Sequence, residues 1–154
     1  MNVDVQIATS VSGIPTVSNI QRWVECAVTA KVVDPASEVL VRVVDEDEMQ
    51  TLNRDFRDQD KPTNVLSFPA GDVAGLPTGA VWMLGDIVVC AAVVAREAGE
   101  QGKALDDHWG HMLVHGVLHL LGHDHVTESE ADEMEGLERE ILAGLGIADP
   151  YEGS

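Results

Sequence analysis

The sequence of 154 residues predicts an α+β fold, in which about five helices pack on a small four-stranded mixed sheet. Three observations support this prediction. Segments with the two-residue period of strands alternate irregularly with segments of helical period. Hydrophobic residues make up 45% of the chain, which is enough for the core of one domain, and we expect that domain to span residues 1–154. One histidine-rich segment is apolar almost all round, as expected of a buried central helix.

The first part of the chain is predicted to form two strands and two helices. Residues 3–9 alternate between apolar and polar side chains, which indicates a strand, and residues 39–44 form a second strand of β-branched character. Residues 18–33 predict the first helix. Residues 45–57 predict the second, with acidic residues in the first turn that complement the helix dipole. The apolar residues of the first helix lie on one side: Ile20, Trp23, Val24, Ala27 and Val28.

Two further strands flank a loop. Residues 64–68 predict a short strand that Pro69 closes, and the Gly/Pro-rich residues 70–79 predict a loop. Residues 81–89 predict the fourth strand, with a bulge expected at Gly85. The sheet is then complete.

The rest of the chain is predicted to be helical. Residues 91–100 form one helix, and the histidine-rich helix begins near Leu105. Thr127 and Glu130 have the spacing of a capping box for the last helix, whose glutamates we expect to form a solvated face. Four apolar residues of that helix should face the core: Met134, Leu137, Ile141 and Leu145.

The charge distribution limits the class of partner. A net charge of −18 argues against general affinity for nucleic acids. We expect neither DNA nor a membrane as a partner. Arg54, Arg57 and Lys61 nevertheless fall within eight positions and form a local basic patch. Such a patch can position one phosphate on an acidic protein.

Several features predict a cytoplasmic protein without a membrane segment. The N-terminus lacks the basic and apolar regions of a signal peptide. The most apolar stretch, residues 81–95, contains Gly85 and Asp86 and is too short to span a bilayer. Cys26 and Cys90 form neither a disulfide framework nor a CxxC pair, so each is interpreted as a small buried residue in a reducing compartment.

The histidine motif has the spacing of a metal site. All six histidines lie between positions 108 and 125. His115 and His119 are four residues apart and share one helical face. Gly122 allows the chain to leave the helix in a left-handed conformation, so that His125 can return as a third ligand. Three imidazole ligands leave one position of a zinc ion open, which is typical of a catalytic site.

The other histidines have a simpler interpretation. For His108, His111 and His123 a structural role in the core or on the surface is favoured over metal binding. His111 lies four residues before His115 on the same face, so it could also support the metal site from outside.

The motif also matches the spacing of the metzincin proteases, His-Glu-x-x-His-x-x-Gly-x-x-His, and so predicts a zincin-like central metal helix. Gly116 stands where the protease places its general-base glutamate. A zinc-dependent protease or another zinc hydrolase is therefore an alternative that keeps the metal geometry but lacks the base.

Together with the residues 53–69 (NRDFRDQDKPTNVLSFP) and 84–87 (LGDI), the histidine motif closely resembles the YbeY family of bacterial endoribonucleases over nearly the whole chain. The resemblance implies one zinc held by His115, His119 and His125, and Arg57 as the functional arginine. It further implies a single-strand-specific endoribonuclease in ribosomal RNA processing, including maturation of the 3′ end of 16S rRNA, and in ribosome quality control. The implied partners are ribosomal RNA and ribosomal particles or ribosome-associated proteins.

The chemistry of these residues agrees with that implication. A zinc ion with an open position can polarise a phosphate oxygen or activate water. Arg57 can hold the scissile phosphate through two parallel donors. The alternative interpretation of Arg57 is a surface arginine that forms an ion pair with Asp55, Asp58 or Asp60.

Two questions stay open at the level of sequence. No general base is assigned. Asp124 lies between two histidines, where it could accept a proton, orient a ligand or cap the helix. A second alternative function is a ribosome-assembly factor with a structural zinc and little nuclease activity.

Overall fold

The computed structural model describes residues 2–29, 37–69, 82–122, 127–147 and 150. Four strands and five helices are described, in an order that confirms the predicted α+β class with its four-stranded mixed sheet. The elements are β1 (Asn2–Ala8), α1 (Val17–Thr29), β2 (Ser37–Val44), α2 (Glu46–Arg57), β3 (Val65–Pro69), β4 (Trp82–Cys90), α3 (Ala91–Gln101), α4 (Leu105–Leu120) and α5 (Glu128–Gly144).

The strand order places β3 at one edge of the sheet. The order is β1-β2-β4-β3, with β1, β2 and β4 parallel and β3 antiparallel to β4. The predicted bulge in β4 is confirmed: Val39 pairs with Gly85 while Glu38 pairs with Met83, so Leu84 is the extra residue.

The two faces of the sheet pack on different helices. Residues of one face, such as Val41 and Ile87, share a core cluster with α1, α4 and α5. On the other face, Leu66 and Val88 pack with Met49 of α2. Because the side chains of a strand alternate between faces, the two clusters lie on opposite sides of the sheet.

Most predicted element boundaries agree with the structure within two residues. The buried residues of α1 are the five that its helical period predicts. The predicted C-terminal end of this helix, residues 30–33, and the predicted loop at 70–79 lie outside the described residues. The third strand begins and ends one residue later than predicted, and at its start the Asn64 side chain accepts a 2.6 Å hydrogen bond from the backbone N–H of Val65.

Helix α4 is the central helix. It contacts α1, α3, α5, β3 and β4, and most of its residues are buried. Within the described ranges no helix combines the length and the apolar content needed to cross a bilayer. The capping box of α5 is confirmed, since the Thr127 hydroxyl accepts a hydrogen bond from the N–H of Glu130 and donates one to its carboxylate.

Candidate functional site

Two of the predicted ligands, His115 and His119, converge on the same point. They lie one turn apart on α4, and their Nε2 atoms are 3.0 Å apart. Both side chains are only partly buried, and both line one open cavity. Two ligands of one tetrahedral zinc with bonds of about 2.0–2.1 Å lie about 3.3 Å apart, so a small opening of the pair accommodates the ion.

The third predicted ligand cannot be placed next to this pair. His125 belongs to residues 123–126, which lie outside the described residues, as do His123 and Asp124. Gly122 has a φ angle of 94°, which confirms the predicted left-handed exit from the helix. Among the side chains that the structure describes, no group of three or more His, Cys, Asp or Glu is arranged to hold one ion.

A buried carboxylate of α5 contacts His115 and a further histidine of α4. Glu138 is fully buried, with one oxygen 2.6 Å from His115 Nδ1 and the other 2.9 Å from His111 Nε2. The expectation that the glutamates of α5 form a solvated face is therefore wrong for this residue. Its signal in the sequence is its place between Met134 and Ile141, at the spacing of the buried stripe.

His108 belongs to a second carboxylate contact. Its Nε2 lies 3.0 Å from Glu97 of α3, and Glu97 also accepts hydrogen bonds from the amide of Asn64. Burial lowers the pKa of His108, and the carboxylate of Glu97 opposes this shift. Within the described residues Nδ1 of His108 has no hydrogen-bond partner. The structural interpretation of His108 agrees with these contacts.

Gly116 explains how α4 approaches the edge strand. A Cβ atom built on this residue would lie 3.1 Å from Ile87 Cγ2, 3.3 Å from Ser67 Oγ and 3.4 Å from Val65 Cγ2. The Ser67 hydroxyl donates a 2.8 Å hydrogen bond to the Gly116 carbonyl. A glutamate at this position would need these neighbours to move, which argues against the protease alternative.

Arg57 lines the same cavity, at the C-terminal end of α2. Asp58 ends this helix in a left-handed conformation, with φ 57°. The Arg57 guanidinium then reaches the edge strand, where Nη2 donates to the Ser67 carbonyl at 2.8 Å and Nη1 donates to the Phe56 carbonyl at 3.1 Å. The guanidinium carbon also lies 5.2 Å from the centre of the Phe68 ring.

Arg57 does not have the acidic partners that the sequence offers. It forms no ion pair with any described residue, whereas its neighbour Arg54 pairs with Asp55 at 3.2 Å. Two uncharged carbonyls hold its side chain in place, and its positive charge has no ion-pair partner in the described part of the chain. An exposed guanidinium of this kind can receive an anion.

The cavity joins these groups in one place. Its volume is about 380 Å³, and the residues with polar groups that line it include Arg57, Asn64, Ser67, His115 and His119. The two imidazoles that could bind a metal ion, those of His115 and His119, come from α4. The Arg57 guanidinium comes from α2, and β3 forms one wall of the cavity. The structure therefore brings three of the four predicted site residues to one cavity.

The architecture is similar to that of a solved structure. The solution structure of TM1509 from Thermotoga maritima matches with a TM-score of 0.57 and 28% sequence identity, over 97% of this chain and 96% of that chain. The chain thus has the same α+β class of fold as that protein.

Sequence comparisons then define the family. The family model described as Endoribonuclease YbeY matches residues 5–146. A relative of that name from Halorhodospira halophila is 56% identical over 138 residues, covering 90% of this chain and 88% of the relative. Another from Stenotrophomonas maltophilia is 52% identical over 154 residues, covering 99% and 94%. The chain belongs to the YbeY endoribonuclease family.

Proposed function

We propose that this protein is a metal-dependent endoribonuclease that hydrolyses phosphodiester bonds in single-stranded ribosomal RNA. The ion is zinc, one per chain, with His115, His119 and His125 as ligands. Arg57 is the residue that holds the scissile phosphate. The observation that carries this proposal is the 3.0 Å pair of Nε2 atoms facing the same cavity as an arginine without an acidic partner among the described residues.

The donor chemistry of the site fits zinc. Neutral imidazole is a common zinc ligand, and three such ligands leave a position for substrate or water. When bound, zinc would supply Lewis-acid chemistry at a phosphate oxygen or at water. The nitrogen pair on α4 and the short contact of His115 to a carboxylate both favour a metal-binding role.

Arg57 supplies the anion-binding part of the site. A guanidinium has five N–H groups. Among the contacts of the described residues, the Ser67 and Phe56 carbonyls engage two of them, and the other three can meet an incoming phosphate. The carbonyl contacts fix the side chain before substrate binds, so less conformational entropy is lost on binding. Arg57 can thereby stabilise the negative charge that develops during attack at phosphorus.

The biological setting extends the same proposal. We place the reaction in the processing of ribosomal RNA, including the 3′ end of 16S rRNA, and in ribosome quality control, in the cytoplasm. Residues 1–154 act as one endoribonuclease domain. The −18 net charge repels long or duplex RNA, so a ribosomal particle or ribosome-associated protein should present the strand.

One experiment tests the function. Highly purified protein is assayed for zinc content and for cleavage of a single-stranded RNA, beside His119→Ala and Arg57→Ala. We expect wild type to contain zinc and to cleave, His119→Ala to lose both, and Arg57→Ala to lose cleavage alone. A zinc-containing wild type that does not cleave RNA would contradict the proposal and favour an assembly factor with a structural zinc.

A further inference from the structure

Glu138 of α5 is a fully buried carboxylate held between two histidines of α4. One of its oxygens contacts His115 Nδ1 at 2.6 Å, and the other contacts His111 Nε2 at 2.9 Å. We propose that Glu138 is a positioning residue for the metal ion, which holds His115 in the orientation and tautomer that direct Nε2 at the ion. This inference rests on the metal site proposed above.

The tautomer of His115 follows from the acceptor at Nδ1. An oxygen of the Glu138 carboxylate lies 2.6 Å from Nδ1 of His115, and a carboxylate is an acceptor, so this contact favours the tautomer of His115 with the proton on Nδ1. A neutral imidazole protonated at Nδ1 has its lone pair on Nε2. That nitrogen lies 3.0 Å from Nε2 of His119, at the cavity. Glu138 thereby selects Nε2 as the metal-binding nitrogen of His115.

The charge of Glu138 also acts on the ion through the ring. The carboxylate and the ion would lie at opposite nitrogens of the same imidazole. A hydrogen bond from Nδ1 to a carboxylate raises the electron-donating strength of Nε2. Because the site is partly buried, the attraction between carboxylate and cation is screened less than it would be in water.

His111 fixes the other end of the carboxylate. With both oxygens engaged, the carboxylate plane cannot turn away from His115 without breaking a buried hydrogen bond. The sequence allowed His111 to support the metal site without binding the ion. In this arrangement it does so by holding Glu138. Helix α5 contributes to a site whose other described groups come from α4, α2 and β3.

The test compares the zinc affinity of Glu138→Gln with that of wild type. Glutamine keeps the size of the side chain and one acceptor oxygen but removes the charge. Affinity is measured by competition with a chromophoric zinc chelator, independently of RNA cleavage. We expect about 10- to 100-fold weaker zinc binding. Wild-type affinity in a folded Glu138→Gln protein would overturn the inference.

Glu97→Gln is the matched control. The Glu97 carboxylate also contacts a histidine of α4, with one oxygen 3.0 Å from His108 Nε2, but it has no contact to His115 among the described interactions. The same chemical change at this position should leave the zinc affinity at the wild-type value. An equal loss in both variants would assign the effect to helix packing and overturn the inference.

A second measurement needs no substitution and covers the case in which Glu138→Gln fails to fold. In imidazole-nitrogen NMR spectra of the wild type, Nδ1 of His115 should be protonated and Nε2 should shift when zinc is added. Zinc coordination through Nδ1 of His115 would overturn the inference. A wild type that binds no zinc at all would overturn both this inference and the proposed metal site, so the two failures are distinguishable.

Discussion

Replacing Arg57 by alanine should abolish most RNA cleavage while leaving the fold and the metal in place. The side chain lies at the cavity and donates to two backbone carbonyls, those of Ser67 and Phe56. Its remaining N–H groups are the donors that would meet a phosphate. Removing a preorganised donor at a site of developing charge costs about 10²–10³-fold in kcat, or about 2.7–4 kcal/mol.

The cost to stability should be much smaller. The cation–π contact to Phe68 at an exposed site contributes about 0.5–1 kcal/mol. The bond to the Ser67 carbonyl contributes a net of about 1 kcal/mol. At this chain length each kcal/mol lowers Tm by about 2–4 °C, so Arg57→Ala should remain folded at room temperature.

The assay measures initial rates of cleavage of a single-stranded RNA, with zinc content and Tm determined on the same samples. Arg54→Ala is the matched control, because Arg54 lies on the same helix, is exposed and pairs with Asp55. At saturating RNA it should cleave at close to the wild-type rate, because a contribution of Arg54 to the basic patch would affect the binding of RNA and not the chemical step. If Arg57→Ala cleaves as fast as Arg54→Ala, Arg57 does not act on the phosphate. If Arg57→Ala loses its zinc, Arg57 also supports metal binding, and the assignment of Arg57 to the phosphate alone is wrong.

Metal content, pH and salt test the other parts of the site. Replacement of His115, His119 or His125 by alanine should lower bound zinc well below one equivalent, whereas His108→Ala should retain it; full zinc occupancy in His125→Ala would exclude that residue as a ligand. Burial lowers the pKa of His108 from its ordinary 6.5, so the unfolded chain binds more protons than the folded chain below that pH. The free energy of unfolding should therefore fall as the pH decreases through 6.5 toward the folded pKa, and less steeply in His108→Gln. Denaturant titrations measure this difference, and equal slopes would contradict it. If the basic patch meets two or three phosphates, log affinity for single-stranded RNA should change with log salt by about −1.4 to −2, and a slope steeper than about −5 would contradict this contact set.

The elements with regular patterns could be predicted from the sequence. The five buried residues of α1 follow from its helical period, and the capping box at Thr127 follows from a local hydrogen-bond pattern. His115 and His119 converge because positions four apart share one helical face. Each of these predictions depends on residues within one element, where spacing in the sequence determines spacing in the fold.

The partners of these elements could not be predicted in the same way. The sequence offered three nearby aspartates as alternative partners of Arg57. Its guanidinium instead contacts the carbonyl of Ser67, because the edge strand β3 passes the end of α2. Glu138 looked like one more acidic residue of a solvated helix. Its contact with His115 exists because α5 packs on α4, and the residue pattern within one helix does not reveal which helix it packs against.

Packing explains why residue 116 of the histidine motif is a glycine, and the same packing limits the chemistry of the site. At Gly116 the helix α4 lies so close to β3 and β4 that even a Cβ atom would come within 3.1 Å of Ile87. This close approach brings His115 and His119 to the cavity that β3 and Arg57 border. The space that a glutamate would need is therefore filled by the sheet, and replacing Gly116 by glutamate would push α4 from β3 before it supplied a base. Proton transfer in this site must accordingly use a group other than residue 116.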